Sequence, residues 1–335
     1  MTLRVGIIGS GSMGTTHAAA WMNTPAHVVG IQSLDQPARE RIAAQTGAMV
    51  YDDLDALIDA VDVVDICAPT HLHHDMILRA AAKRKHIICE KPITRRIADA
   101  REAIAACEAA GVMLLIAHVV RFFPEYALAQ QTVVNGAIGN VAVVRLSRCS
   151  YPPHRDNPDS WFHDPAKSGG ILLDLMIHDF DYARWIAGDV ESIYVRSIKS
   201  RVPDAPIDHA LAILRHISGA LSHIEGGSSY PPPTFRTSLE IAGSAGLIAH
   251  PADSSMPLTF RIAERAATIE TVALPRSPLD EDPYTTEMKH FYGLLTGTIT
   301  TPRVTADDAL QALRISTAAA LSAQTGKPVF LAEVE

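Results

Sequence analysis

At 335 residues, with 47% hydrophobic and 20% charged side chains, the chain is long enough for two cores and has the ordinary composition of a globular protein. A formal net charge of -8 argues against a basic nucleic-acid surface. No apolar run approaches a bilayer span, the first residues enter a strand-like segment instead of a charged, then apolar leader, and the four cysteines lack Cys-x-x-Cys spacing. These features predict a cytoplasmic protein with reduced thiols and no membrane or nucleic-acid partner.

In chain order, Leu3 to Ile8 is a β-branched run leading straight into Gly9-Ser10-Gly11-Ser12-Met13-Gly14, and a helical pattern follows through His17 to Met22. Between a strand and a helix, Gly-x-Gly-x-x-Gly supplies a tight turn, close approach to a pyrophosphate and amides aimed at the anion. Gly9, Gly11, Ser12, Met13 and Gly14 are therefore expected to hold a dinucleotide. His27 to Ser33 reads as a second strand, Pro37 to Thr46 as a helix, and Val63 to Cys67 as a buried strand ending at Pro69. A helix from Leu72 to Lys83, the strand His86 to Cys89, a helix from Ala98 to Ala110 and the strand Val112 to Ala117 complete the alternation. Such alternation predicts an α/β fold, a doubly wound parallel sheet of Rossmann type over residues 1–120. Ligand then lies at the strands' carboxyl ends, where Gly9 to Gly14, Ala68-Pro69-Thr70 and Glu90-Lys91-Pro92 converge.

An acid about 20 residues beyond the glycines binds the ribose hydroxyls of NAD and repels the extra phosphate of NADP. Ser33 and Asp35 both lie near that distance. A strand ending at Ser33 would accept a phosphate that Arg39 could neutralise, whereas an inward Asp35 favours NAD. NAD is slightly favoured over NADP. Lys91 stands at a strand's carboxyl end directly before Pro92, where a turn can aim its ammonium into the crevice, and the X-Pro bond there can be cis. His71, His73 and His74 point in different directions from a helix start and lack a carboxylate or cysteine partner at ligand spacing, so no metal is expected.

After His118 to Pro124 the pattern changes. A helix from Tyr126 to Val134 ends at Asn135-Gly136, the strand Val141 to Cys149 follows, and a proline-rich loop, Tyr151 to Lys167, is expected to line a substrate site with His154, Arg155, Asp156 and Trp161. Beyond Ser168-Gly169-Gly170, the apolar spacing predicts one helix carrying Asp174, His178 and Asp181 on a single stripe. A carboxylate and an imidazole one turn apart can pair, the acid orienting the ring and raising its proton affinity. That is how a general base is built. The strands Ser192 to Ser200, Ala210 to His216, Ala220 to Glu225 and Thr237 to Ala242 predict an open, mainly antiparallel sheet within a second α/β domain over residues 121–335. One face of it is expected to be buried in a homo-oligomer, a dimer or tetramer. A final helix, Ala306 to Ala323, precedes the strand Pro328 to Leu331, and the two are placed near the N-terminal domain.

On these motifs the chain resembles the Gfo/Idh/MocA family, the glucose-fructose oxidoreductase and inositol dehydrogenase group, over nearly its whole length. The matching residues are Gly9 to Gly14, Pro69 with His73, Cys89-Glu90-Lys91-Pro92, His118 to Phe123 with Arg121, and Gly169-Gly170 through Asp174, His178 and Asp181. The resemblance implies a Rossmann domain with an antiparallel α/β partner, a nicotinamide cofactor, a sugar, inositol or related polyol as substrate, and the catalytic set Lys91, Asp174 and His178. His178 would take the hydroxyl proton, Asp174 would orient it, and Lys91 would hold the reacting oxygen. Glu90 would brace Lys91 or the nicotinamide side. His73 and Arg121 join the cofactor residues; His118, Arg155 and Trp161 join the substrate residues. Many NAD-using members place an acid where this chain has Ser33. The same fold also admits a glycosidase that oxidises its substrate transiently with tightly held NAD, and a non-enzymatic dinucleotide sensor, against which the joint presence of Lys91, Asp174 and His178 speaks.

Overall fold

The apolar run after Leu3 forms β1 (Arg4–Ile8), buried from Val5 onward, and the chain then alternates through α1 (Ser12–Trp21), β2 (His27–Gln32), α2 (Gln36–Thr46), β3 (Met49–Tyr51), α3 (Leu54–Ala60), β4 (Val63–Ile66), α4 (His73–Ala82), β5 (His86–Glu90), α5 (Ile97–Ala110) and β6 (Leu114–Ala117). This computed structural model describes residues 2–152, 157, 160–199, 208–250 and 281–335. The chain divides into two compact units, Met1–Phe123 with Ser277–Leu310, and Pro124–Arg276 with Gln311–Glu335. Among the described residues no helix is long and apolar enough to cross a membrane.

In the first unit the six strands run in the order β3-β2-β1-β4-β5-β6, and every pair is parallel. β4 is buried at all four positions, as a strand covered on both faces must be. Local chemistry sets the helix ends. Asp35 and Asp53 cap α2 and α3 through the Ala38 and Ala56 amides, and α2 and α5 stop at Gly47 and Gly111, where φ is 77° and 68°. The sequence pattern passes over β3 and α3, whose three and seven residues are too short to display a period.

The second unit begins with α6 (Pro124–Val134) and β7 (Val141–Cys149), followed by α7 (Pro165–Ser168), α8 (Ile171–Asp174), α9 (Ile177–Ala187), β8 (Val190–Lys199), β9 (Asp208–His216), β10 (Leu221–Gly227), β11 (Arg236–Gly243) and β12 (Leu247–His250). Next comes α10 (Pro283–Thr296), which belongs to the first unit, packs on α1 and has no counterpart in the predicted elements. The chain closes with α11 (Ala306–Thr325), divided between the units after Leu310, and β13 (Val329–Phe330). The second sheet has the order β12-β11-β7-β10-β9-β8-β13 and is antiparallel except where β10 lies parallel to β7. Along β9, Ala210, Ala212, Leu214 and His216 are buried while Leu211, Ile213 and Arg215 face outward, the period-two pattern of a sheet with one covered face.

The single helix expected to carry Asp174, His178 and Asp181 is interrupted. Ile171 to Asp181 is not a single helix: α8 is one turn ending at Asp174, and α9 restarts at Ile177. The interruption has a packing cause. Met176 is fully buried beside Gly226 of β10, where any Cβ would collide with its Cγ, so the bare strand draws this side chain in. Asp174 therefore closes one helix while His178 opens the next, and the two do not share a regular helical stripe.

A buried ion pair seats α9 on this sheet. Arg148 of β7 donates from Nε and one terminal nitrogen to the two oxygens of Asp179, at 2.8 and 3.1 Å, with the side chains 2% and 0% exposed. Burial pushes the Asp179 carboxyl up, and Arg148 acts against that rise. Removing one member strands the other charge in the core. Arg148→Ala should destabilise the chain by about 3–5 kcal/mol in denaturant unfolding, and the double substitution Arg148→Met with Asp179→Leu should recover most of that loss. A single-variant cost below about 1 kcal/mol would contradict the buried pair.

Candidate active site

At the end of β1 the glycines divide by cause. Gly9 has φ 101°, and a Cβ there would lie 2.5 Å from the Cys67 carbonyl oxygen. A Cβ on Gly14 would collide with the Gly9 carbonyl. The fold itself requires both. Gly11, with φ -69°, would meet nothing within 4 Å, so the protein's own packing does not call for glycine at this position. An open place at the N-cap of α1, with no acidic residue in the first turn, fits the close approach of a pyrophosphate to backbone amides. Ser12 and Met13 open that helix. The residues present therefore fit a dinucleotide.

β2 ends at Gln32, whose carbonyl accepts the Gly9 amide at 2.8 Å. Ser33 follows directly, its hydroxyl 2.7 Å from that of Ser10. The Asp35 carboxylate accepts the Ala38 amide at 3.0 Å as the cap of α2. Arg39 donates to the Ser33 carbonyl at 3.1 Å and pairs with Asp52 at 2.7 Å. Of the two acid-position candidates, Ser33 occupies the strand end and Asp35 serves the helix.

The loops after β4 and β5 are tied together by His73, which is 1% exposed. Its Nε2 lies 2.8 Å from the Ala68 carbonyl and its Nδ1 2.9 Å from that of Pro92. Burial lowers the proton affinity of this ring against the pull of the two carbonyls. Residues 68–70 and the Lys91–Pro92 turn, whose peptide bond is cis, are thus held by one side chain. Glu90 is buried and uses both carboxylate oxygens: Oε2 accepts the Lys91 amide at 3.0 Å and Oε1 lies 3.1 Å from His17 Nε2. His17 continues to Asp65, which also accepts the Trp21 indole N–H at 2.7 Å. Sequence reasoning assigned no role to His17 or Asp65. The only signal available was a histidine three residues after the last glycine. Among the described residues, His17, Asp65 and Cys67 stand close enough together to hold a metal, but carboxylates already engage both imidazole nitrogens, and burial pushes the Cys67 thiol far above its ordinary range. This donor set is arranged around protons.

Arg121 is 1% exposed, its guanidinium set on the Arg303 carbonyl at 2.8 Å and on Asp308 at 3.2 Å. Against the effect of burial, Arg121 and Thr305 hold the Asp308 carboxyl down at about 2, from an ordinary 3.8. His118 is fully buried. In the second unit, Gly169 and Gly170, with φ 85° and 69°, turn the chain from α7 into α8. Asp174 and His178 are half-buried on either side of the Met176 anchor, while Asp181 is buried on α9. Trp161 lies half-buried against Phe162, ring centroids 4.1 Å apart. Arg155, with His154 and Asp156, lies outside the described residues.

Residues 3–118 match the GFO_IDH_MocA family, described as an oxidoreductase family with an NAD-binding Rossmann fold, and residues 126–249 match the GFO/IDH/MocA C-terminal domain. The chain is 32% identical to the uncharacterised oxidoreductase YrbE of Bacillus subtilis, over 98% of this chain and 97% of that one. It is 31% identical to a myo-inositol 2-dehydrogenase of Thermotoga maritima, over 99% of both chains. A crystal structure of a probable dehydrogenase from Thermotoga maritima has the same fold, with a TM-score of 0.82 at 29% identity, covering 99% of this chain and 100% of that one.

Two measurements test the site's parts. Gly11→Ala should keep the melting temperature of the wild type but weaken dinucleotide binding about tenfold, or about 1.4 kcal/mol, in a fluorescence titration, whereas Gly14→Ala should lower the melting temperature without ligand. Asp308, depressed on folding from 3.8 to about 2, contributes about 2 kcal/mol of stability above its unfolded value, which is lost as pH falls through the folded one. Unfolding curves of Asp308→Asn should therefore lie below the wild type at neutral pH and converge on it toward pH 2.

Proposed function

The chain belongs to the GFO/IDH/MocA family of NAD-binding oxidoreductases, and from this premise we propose that it transfers a hydride between a nicotinamide dinucleotide and a hydroxyl-bearing carbon of a sugar, an inositol or a related polyol. The observation that carries the reading is the arrangement within the first sheet, where the open glycine turn after β1 and the Lys91 turn after β5 both stand at strand carboxyl ends. The bound nicotinamide supplies the hydride acceptor or donor. Lys91 presents an ammonium to the reacting oxygen and stabilises the alkoxide that develops there. His178 takes the hydroxyl proton in oxidation and returns it in reduction, with Asp174 orienting the ring. The name of the Thermotoga maritima relative supports a polyol substrate.

Between the two dinucleotides the reading favours NAD. Arg39, the cation that would neutralise a 2′-phosphate, is already paired with Asp52, and this pairing supports NAD although Asp35 is engaged as the cap of α2. Leu211 and Ile213 of β9 and Leu221 of β10 lie 56%, 47% and 40% exposed on the open sheet face, which supports self-association as a dimer or tetramer.

A single assay tests cofactor and substrate together: nicotinamide absorbance, with NAD and NADP in turn, against inositols, aldoses, glycosides and sugar acids. Lys91→Ala and His178→Ala should bind the dinucleotide as the wild type does and lose at least about 100-fold in kcat. Wild-type rates in both variants would overturn the assignment.

A further inference from the structure

We propose that His17 is a positioning residue for Lys91: clamped as an imidazolium between Asp65 and Glu90, it locks the Glu90 carboxylate against the Lys91 amide. The inference rests on the role given to Lys91 above. Its groups come from three elements of the first unit, α1, β4 and β5, and His17 and Asp65 are fully buried while Glu90 is 7% exposed.

The geometry sets the protonation state. His17 Nδ1 lies 3.0 Å from each oxygen of Asp65, and Nε2 lies 3.1 Å from Glu90 Oε1. A carboxylate only accepts, so each ring nitrogen must bring a proton to make these bonds; a bare nitrogen would turn a lone pair on an anion in a dry interior. Burial on its own draws the ring's proton affinity down, but Asp65, with Cys67, outweighs it and holds the ring well above its ordinary range. The other groups facing this cluster leave that charge pattern in place. Cys67 Sγ sits 3.3 Å from Nδ1, with its thiol pushed up by burial. From α10, burial raises Tyr284 and Glu287, and His17, Glu90 and Asp65 all act on Glu287, with Arg303 beyond. Both Glu287 carboxyl oxygens lack a hydrogen-bond partner among the described residues, so this acid stays neutral and does not compete as a third anion.

The sequence of charges is thus anion, cation, anion, and it ends on the reacting lysine's own backbone, where Glu90 Oε2 accepts the amide at 3.0 Å. His17 lies one helical turn beyond Gly14, so the same helix that opens the glycine turn reaches back to fix the Lys91 turn. Asp65 is the residue that keeps the second proton on the ring.

The test uses isotope-labelled histidine and backbone NMR on the full chain, with steady-state kinetics alongside. The wild-type His17 ring should stay doubly protonated from about pH 6 to about pH 9. Asp65→Asn should release one ring proton within that window and displace the Lys91 amide resonance. It should also cut kcat at least about tenfold, more at high pH than at low, with the dinucleotide Kd within about twofold. His17→Gln should lose kcat similarly, without that ionisation in its pH profile. A wild-type ring with one bare nitrogen at neutral pH overturns the proposal, as does Asp65→Asn with an unmoved Lys91 amide and an unchanged pH profile. If Asp65→Asn fails to fold, the wild-type ring and His17→Gln decide. A wild type without turnover on any sugar or polyol sinks the functional reading alone, because ring protonation and the Lys91 amide still report on the clamp.

Discussion

A buried imidazole that must satisfy both of its nitrogens is the constraint around which the first unit closes. His17 reaches it from α1, Asp65 from β4 and Glu90 from β5, and each is buried, so none can exchange its partner for water. These three elements also carry the glycine turn, the residues before Ala68 and the approach to Lys91. The polar cluster and the ligand-facing turns are consequences of the same packing: a displaced α1 would open the turn after β1 and leave two carboxylates facing one another without a cation. At the rim, the ring nitrogens of His73 stand 2.8 and 2.9 Å from the carbonyls of Ala68 and Pro92.

The second unit solves a different problem, how to hold the short segment around His178 on an open sheet. Two fixed points flank His178. On one side Met176 fills the space left by Gly226; on the other, Asp179 is gripped by both donors of Arg148. With its neighbours anchored, the backbone at His178 is held, and the side chain's own torsions set the ring's place. Regularity is interrupted here, α8 ending at Asp174 and α9 restarting at Ile177. Preorganisation of this kind suits the proton transfer proposed for His178, because a group that must find its position during the reaction contributes less to it.

The chain is a member of an oxidoreductase family with an NAD-binding Rossmann fold, matched over residues 3–118 and, for the C-terminal domain, 126–249. The features that fit a dinucleotide are backbone features of the first unit: a helix N-terminus, an open glycine and a strand end followed by Ser33. Such features recognise phosphates and riboses common to every reaction of this kind.

Much of the first unit was legible in the residues because its signals are local. Strand, Gly-x-Gly-x-x-Gly and helix lie within twenty residues, and buried parallel strands announce themselves as short β-branched runs. Within the site, Gly9, Gly14, Glu90 and Lys91 could be picked out in the same way, each by its place beside a motif. The helix break at Met176, the role of α10 and the partners of His17 were not legible, for a shared physical reason. Asp65 is 48 positions from His17, Glu90 is 73, and Arg148 is 31 from Asp179; no periodicity encodes a contact across such distances. The layered α/β architecture, the glycine turn and the lysine before Pro92 could be read from the residues alone. Which buried charges meet, that Asp35 caps a helix while Ser33 stands at the strand end, and that Asp174 and His178 belong to separate helices emerge from the folded chain, because burial and long-range packing select one arrangement among several that local propensity allows equally well.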